Sequence, residues 1–259
     1  MLEALKRNRL KRKQTGSFLV EGVAPIESLE SNGWAIDGFV YCGMRKRSQW
    51  AADRIASVPS AKRYELSEEL MDELSDRDET SELLVVAKTR AMALEDLAED
   101  FRLALLLDRP SNPGNTGSIF RSADAFGVDA IILSGHGVDP YDTKVIRSSV
   151  GAVFSVPFVT DVANTELEAW IAGVRSNRGR LSVIGTSAHG DVDLERVSAV
   201  APSLLILGNE TYGMSRLCLS LCDEVARIPI RGSVSSLNVA CAATVALYEI
   251  RKQLIEENQ

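Results

Sequence analysis

The chain has 259 residues, of which 45% are apolar and 25% charged, and a net charge of −7 at neutral pH. That length allows one large domain or two modest ones, at roughly 100–200 residues each. A chain of this size buries a core without disulfide or metal staples, so dominant disorder is excluded. The nearly uncharged stretch 237–248 falls short of the ~20 apolar residues of a bilayer span, and no apolar run follows the basic start. The expectation is a cytoplasmic protein with no membrane partner and no secretory signal. Cys42, Cys218, Cys222 and Cys241 are too few and scattered for a disulfide framework, and they read as reduced thiols with no metal.

Residues 1–16 carry six basic side chains (Lys6, Arg7, Arg9, Lys11, Arg12, Lys13) against one acid. This run reads as a basic helix. It is either a solvated face or a patch for a polyanion, because association follows the local patch more than the total charge. A strand over 18–20, a helix over 23–30, a strand over 39–41, a helix over 49–56 and a strand over 63–66 follow. The segment 65–82 holds nine acids and one base; its helical part precedes a strand over 83–87. This alternation predicts a small layered α/β sheet. Residues 88–100 are charged and Ala-rich and read as a connecting helix or linker.

From residue 103 the pattern changes. Leu103 to Leu107 is an unbroken apolar run suited to a buried parallel strand, and similar runs recur at 130–133, 183–185, 204–207 and 225–230. Helical patterns lie between most of them, and Gly127 suits the end of a helix carrying Phe120, Ala123 and Phe126. A mainly parallel sheet flanked by helices is expected.

No P-loop, GxGxxG, HExxH or GxSxG pattern is present, which leaves little support for an ATPase or a nicotinamide oxidoreductase. Three polar clusters each follow a predicted buried strand, where open α/β sheets bind ligands. The first, 108–121, has two prolines and two glycines within 108–117, and a helix is expected to start near Thr116. Asn115 sits at the mouth of that helix, as a cap or a ligand contact. Arg121 lies six residues on, as a phosphate fork or a surface ion-pair residue. The second, 207–215, places Glu210 at the end of an apolar strand, a costly position for an unpartnered carboxylate. The third, 228–238, leads into an Ala-rich helix for which Ser235 or Ser236 is the expected cap. Asn238 is expected in the first turn of that helix. His136 and His189 lie in Gly-flanked loops and read as surface residues.

Together these clusters resemble the TrmH/SpoU family of RNA ribose 2′-O-methyltransferases, of the knotted SPOUT superfamily. Residues 115–121 look like its Asn-x-Gly-Ser/Thr-x-x-Arg stretch, and residues 208–215 like its Gly-Asn-Glu-x-x-Gly-Met-Ser stretch. Residues 228–242 look like its Ile-Pro-x-x-Gly stretch followed by Ser-Leu-Asn-Val-Ala. The opening 11–22 is similar to that of members with an extra ribosomal-protein-like RNA-binding domain. The resemblance departs at Thr211 and Tyr212, where many members carry smaller residues, and in the acidity of 65–82, a face expected to point away from RNA.

The resemblance implies a trefoil-knotted, mainly parallel C-terminal methyltransferase domain at 96–259 and a smaller α/β RNA substrate-binding domain at 1–95. It implies S-adenosylmethionine as cofactor, RNA as substrate (ribosomal favoured over transfer RNA), and a homodimer through the C-terminal helix. Arg121 would be catalytic, with Asn115, Glu210, Ser236 and Asn238 completing the polar site. The cofactor would contact Thr186, Ser187, Leu207, Gly208, Asn209, Gly213, Ile228, Ile230, Ser236, Leu237 and Ala240. Arg7, Arg9, Lys11, Arg12 and Lys13 would meet the RNA. The chemistry agrees: a sulfonium methyl is already activated, so catalysis needs alignment and removal of one proton. Arg121 reads as a phosphate anchor that assists proton transfer. A non-catalytic RNA-binding protein of the same fold is the competing class.

Overall fold

The computed structural model describes residues 1–76, 79–98 and 100–256, the last two by backbone alone. In chain order the elements are α1 (Leu2–Arg7), α2 (Arg9–Thr15), β1 (Ser17–Glu21), α3 (Val23–Ser31), β2 (Ile36–Cys42), α4 (Gln49–Ser57), β3 (Lys62–Leu66), α5 (Glu68–Leu74) and β4 (Leu83–Lys88). There follow β5 (Leu103–Asp108), α6 (Pro113–Ala125), β6 (Ala130–Ser134), α7 (Thr143–Ser149), β7 (Phe158–Val162), α8 (Asn164–Arg178), β8 (Ser182–Thr186), β9 (Val192–Asp193), β10 (Ser203–Leu207), α9 (Arg216–Leu221), β11 (Glu224–Arg227) and α10 (Val239–Glu256). They form two compact units, residues 1–90 with 139–155, and residues 91–138 with 156–259.

The first unit has a four-stranded sheet ordered β1-β4-β2-β3. β4 runs antiparallel to both β1 and β2, and β3 runs parallel to β2. One face buries Leu19, Val40, Leu84 and Val86 against Leu5 of α1 and Met71 and Leu74 of α5. The basic start is two short helices rather than one. Asn8 ends α1 in an extended conformation and caps α2, accepting the Lys11 N–H.

Residues 139–155 supply Tyr141 and Phe154 to an aromatic cluster on Phe18, with ring centroids 4.7 and 5.9 Å away. Trp34 joins them and donates its indole N–H to the Phe154 carbonyl at 2.9 Å. Nothing in the linear pattern announces that this segment, entered from β6, packs with the first unit.

Two members of the basic run are spent on folding. Arg12 is 3% exposed. It pairs with Asp139 at 2.7 Å and Asp142 at 3.5 Å and donates to the carbonyls of Leu5 and Lys6. Lys6 holds Asp76 at 2.9 Å and the carbonyls of Glu73 and Ser75. The expectation that Arg12 meets RNA is therefore corrected: its guanidinium is buried and committed. Arg7 and Lys13 are exposed and Arg9 and Lys11 half-buried. Part of the acidic stretch is internal pairing too, and its residues 77 and 78 lie outside the described ones.

The second unit is a seven-stranded sheet, ordered β7-β6-β5-β10-β8-β11-β9, in which every pairing is parallel. β5, β6 and β10 are buried along their whole length, as strands covered on both faces must be. Ala104, Leu106, Ile132, Leu204 and Ile206 face Leu167 and Ile171 of α8 and Cys218 of α9. Alternate residues face the other way, where α10 packs on α6 and β10. Burial pushes the Cys218 thiol up to about 11 and Cys222 up to about 12.

Several sequence expectations are corrected here. Of the two readings of segment 88–100 the linker holds: among its described residues there is no α-helix, only a 3-10 turn at Leu94–Asp96, and Leu94, Leu97 and Phe101 join the core. The strand expected over 225–230 ends at Arg227. β7 and the two-residue β9 were not anticipated. α6 starts at Pro113, ahead of Thr116, because a proline without a free N–H suits the first helical position. No helix among the described residues is long and apolar enough to cross a membrane.

The buried cation gives a stability prediction. Arg12→Ala leaves Asp139 and Asp142 without their partner and should cost the first unit about 3–5 kcal/mol. Urea unfolding followed by the near-ultraviolet signal of the Trp34 cluster measures it; an unchanged midpoint would contradict the assignment.

Candidate functional site

A parallel sheet brings the C-terminal ends of all its strands to one edge. Strands β5, β10, β8 and β11 are neighbours, so the loops after them form one continuous rim. From β5 the chain builds outward through β6 and β7, then returns to the opposite side through β8. The strand order therefore reverses between β5 and β10, where open α/β sheets leave a ligand crevice.

The polar cluster lies at that reversal. Glu210 follows β10, and its carboxylate reaches the loop after β5. One oxygen accepts the Ser111 N–H at 3.0 Å and the Ser111 hydroxyl at 2.6 Å. The other accepts the Asn112 N–H at 3.0 Å and the Asn115 side-chain amide at 3.4 Å. Partial burial alone would raise the Glu210 pKa, but the Ser111 hydroxyl and the backbone N–H groups outweigh it, and the group is held below its ordinary value. Glu210 is thus an ionised clamp between two loops.

The clamp sets the direction of a longer chain of hydrogen bonds. A carboxylate only accepts, so Asn115 must turn its NH2 toward Glu210. Its oxygen is then left to accept the Asn238 NH2, at 3.0 Å. The Asn238 oxygen in turn caps α10, taking the Ala240 N–H at 2.8 Å and the Cys241 N–H at 3.4 Å. Asn238 is therefore the cap of α10 and stands just before it. That corrects the expectation of a Ser235 or Ser236 cap, and of Asn238 in the first turn. Asn112 caps α6 by accepting the Asn115 N–H at 3.0 Å. The N-termini of α6 and α10 thus meet at one carboxylate, and further along the same helices Ser122 and Thr244 hydroxyls bond at 2.7 Å.

Arg121, on α6, is exposed and makes no hydrogen bond or ion pair among the described residues. It is not joined to the Glu210–Asn115–Asn238 chain, and its guanidinium is free for a ligand. Ser236 is likewise exposed and unbonded among the described residues.

The expected cofactor residues fall on the same rim. Thr186 ends β8 and bonds the Ile206 carbonyl through its hydroxyl. Ser187 takes up β11 through the Ala226 carbonyl at 2.9 Å. Leu207 is buried at the end of β10. A Cβ on Gly208 would sit 2.3 Å from the Met214 nitrogen, so only glycine lets the loop close there. Asn209 and Gly213 exchange backbone hydrogen bonds of 3.0 and 2.9 Å across a turn, with Gly213 at φ +67°. Residues 228–237, which include Ile228, Ile230 and Leu237, make no hydrogen bond or ion pair among the described residues, so their peptide groups are open. Ala240 is buried at the start of α10. The exposed His136 and His189 lie on loops of the same unit.

Four residues of this rim had drawn no site expectation: Asp108, Arg109, Ser111 and Asn112. Asp108 is 3% exposed. It accepts two bonds from Arg109, at 2.9 and 3.1 Å, and the Ser215 N–H at 2.6 Å. Burial would raise its pKa, and the Arg109 guanidinium and Ser215 N–H bring it below the ordinary range instead. Arg109 adopts φ +53°, and its carbonyl receives the Asn209 amide at 2.8 Å. An aspartate closing an all-apolar strand was the available signal. Ser111 and Asn112 act partly through backbone N–H groups, which side-chain identity does not reveal.

Residues 102–248 match the SpoU rRNA Methylase family, and residues 1–86 match the SpoU L30e-like domain. The chain is similar to a 23S rRNA (uridine(2479)-2'-O)-methyltransferase of Streptomyces viridochromogenes, at 41% identity over 98% of this chain and 88% of that protein. It is also similar to the 23S rRNA (guanosine(2553)-2'-O)-methyltransferase RlmP of Bacillus subtilis, at 28% identity over 93% and 90% of the two chains. Among solved structures, the SpoU methyltransferase AviRb from Streptomyces viridochromogenes, in complex with AdoMet, superposes with a TM-score of 0.88. The identity is 39%, and the match covers 98% of this chain and 97% of that one. An AdoMet-bound rRNA methyltransferase from Sinorhizobium meliloti gives a TM-score of 0.84 at 28% identity, covering 98% and 93%.

The Glu210 clamp predicts a pH-dependent stability term. A carboxyl held below its unfolded value stabilises the fold above that value and loses the effect as pH falls through the folded one. At pH 7 Glu210→Gln should therefore cost about 1–3 kcal/mol. The difference between variant and wild type should shrink once the pH drops below the ordinary carboxyl value of 4.5. Paired denaturation curves across that range test this, and a gap that widens in acid would reverse the assignment.

Proposed function

The chain belongs to the SpoU methylase family, and from that footing we propose that it methylates a ribose 2′-hydroxyl of RNA with S-adenosylmethionine as donor. Ribosomal RNA is the substrate class, in keeping with the relatives similar along nearly its whole length. The observation that carries the reading is the Glu210–Asn115–Asn238 chain at the strand-order reversal, with an exposed Arg121 further along the same helix α6.

The rim suits the donor. Residues 228–237 offer open peptide donors and acceptors beside the half-exposed apolar side chains Ile228 and Ile230, the mixture that small-molecule sites use. Together with Thr186, Ser187, Leu207, Gly208, Asn209, Gly213, Leu237 and Ala240 they would hold it, and the group supplies an activated methyl on a sulfonium.

The chain's own residues then have two tasks, aligning the ribose oxygen and easing loss of its proton. Arg121 carries both. A guanidinium is a permanent cation with a fork that fits a phosphate, so it anchors the nucleotide and stabilises the developing alkoxide. Glu210 is a positioning residue and not the base, since both of its oxygens already hold donors. Asn115 and Asn238 present a fixed polar wall, and Ser236 offers a free hydroxyl to the nucleotide. As the oxygen–methyl bond forms and the sulfur–methyl bond breaks, the hydroxyl proton leaves to solvent or a phosphate oxygen.

In this reading, residues 1–95 form the RNA substrate-binding domain, with Arg7, Arg9, Lys11 and Lys13 toward the phosphates, and residues 96–259 the methyltransferase domain. The C-terminal segment threads a trefoil knot. α10, with Val245 and Tyr248 exposed, forms the homodimer interface. The protein works in the cytoplasm, where its RNA is.

The test is transfer of labelled methyl from S-adenosylmethionine to protein-free 23S rRNA, with transfer RNA and DNA in parallel. Label in rRNA alone is expected; label in transfer RNA alone would move the substrate class. Arg121→Ala should lower turnover roughly 100-fold or more while calorimetric binding of S-adenosylmethionine persists. Full turnover in that variant would remove Arg121 from the reaction.

A further inference from the structure

We propose that Tyr212 is a stacking platform for a nucleobase of the RNA substrate, next to the ribose that is methylated. The inference rests on the methyltransferase reading and adds a specificity residue to it.

Tyr212 is 81% exposed, and its side chain makes no hydrogen bond or ring contact among the described residues. A solitary exposed aromatic needs no explanation by itself. Its location does, because it lies two positions after Glu210, at the tip of the turn that the catalytic rim is built around. That turn is stiff. The Asn209 side-chain oxygen accepts the Thr211 N–H at 2.9 Å and the Tyr212 N–H at 3.1 Å. The Asn209 amide is tied to the Arg109 carbonyl at 2.8 Å, and Arg109 also reaches the Gly213 carbonyl at 3.3 Å. Asn209 and Gly213 close the base of the turn. The backbone under the ring is therefore held from three sides while the ring itself faces solvent.

Proteins that select a site in folded RNA mostly do so at loops and bulges, where bases splayed out of the helix stack on aromatic side chains. An aromatic ring on a fixed support offers that stacking to any base, since every base has a π-face. Rigidity matters because a ring already held in place loses little freedom on binding. Ser111, bonded to Glu210 at the foot of the same turn, is exposed and polar too, so the turn rises from a polar rim. That surroundings fit a nucleotide better than a protein partner.

The test compares full-length wild type with Tyr212→Ala, Tyr212→Leu and Tyr212→Phe on protein-free 23S rRNA. Ala and Leu should raise the KM for RNA and weaken equilibrium binding about 10-fold, within the roughly 5–150-fold span of one stacked base. Phe should stay within about 2-fold of wild type, because the π-face remains. The slope of binding against salt should not change, as no phosphate contact is lost, and affinity for S-adenosylmethionine should hold. Wild-type KM and binding in the Ala variant would overturn the proposal. So would equal rescue by Leu and Phe, which would mean plain apolar contact, or a parallel loss of donor affinity. If wild type binds the RNA but transfers no methyl, the reaction reading falls, while the binding series still decides Tyr212.

Discussion

The carboxylate of Glu210 is the constraint on which the rest of the site depends. An ionised group at the end of a buried strand is tolerable only with donors on both oxygens. Beyond the N–H of Glu210 itself, the donors are Ser111, Asn112 and Asn115, all after β5. β5 and β10 are hydrogen-bonded neighbours running the same way, which is why the two loops can meet. Satisfying one charge then orients Asn115, through it Asn238, and through that the start of α10. A single electrostatic requirement thus aligns two helix N-termini that lie far apart in sequence.

Asp108 repeats the logic one strand-end lower. It is buried, ionised and filled by Arg109 and by the N–H of Ser215, the residue that caps α9. With both carboxylates committed as acceptors, neither is available to take up a proton in catalysis. In the proposed reaction, alignment and the field of a free cation are what remains for such a site to supply, which is the demand made by an electrophile that is already activated.

The first unit uses charge differently from what its composition suggests. Lys6 and Arg12 are turned inward and hold Asp76 and Asp139, so the segment 1–16 presents less positive surface than its count of basic side chains implies. The Arg12 pairs, with Asp139 and Asp142, also secure the returning segment 139–155. A buried guanidinium there costs desolvation and is repaid only with every donor placed, which makes the pairing selective for one arrangement of the unit.

The amino-acid sequence by itself determined most of the secondary elements, β7 and β9 excepted, and the residue types at the rim. Apolar runs as short as 103–107 and 204–207 suit strands covered on both faces, and both are such strands. Each of the three polar clusters was legible as a site candidate because buried strands leave their chemistry at their ends, and their joint resemblance to one family is what read them as a single site. Local pattern also has limits that these residues expose. Arg12 and Lys13 are equivalent in sequence, yet one is buried and the other exposed, because only the packing of α2 decides which side of a short helix meets Asp139. Ser111 and Asn112 join the site through backbone N–H groups, which every residue but proline has, so no side-chain reading could single them out. The cap of α10 fell to Asn238 over the serines because Asn115, 123 residues earlier, takes its amide and frees its oxygen for the helix. Which strands are neighbours, and therefore which charges must find one another, is set by long-range pairing alone. That pairing was the contribution of the tertiary structure.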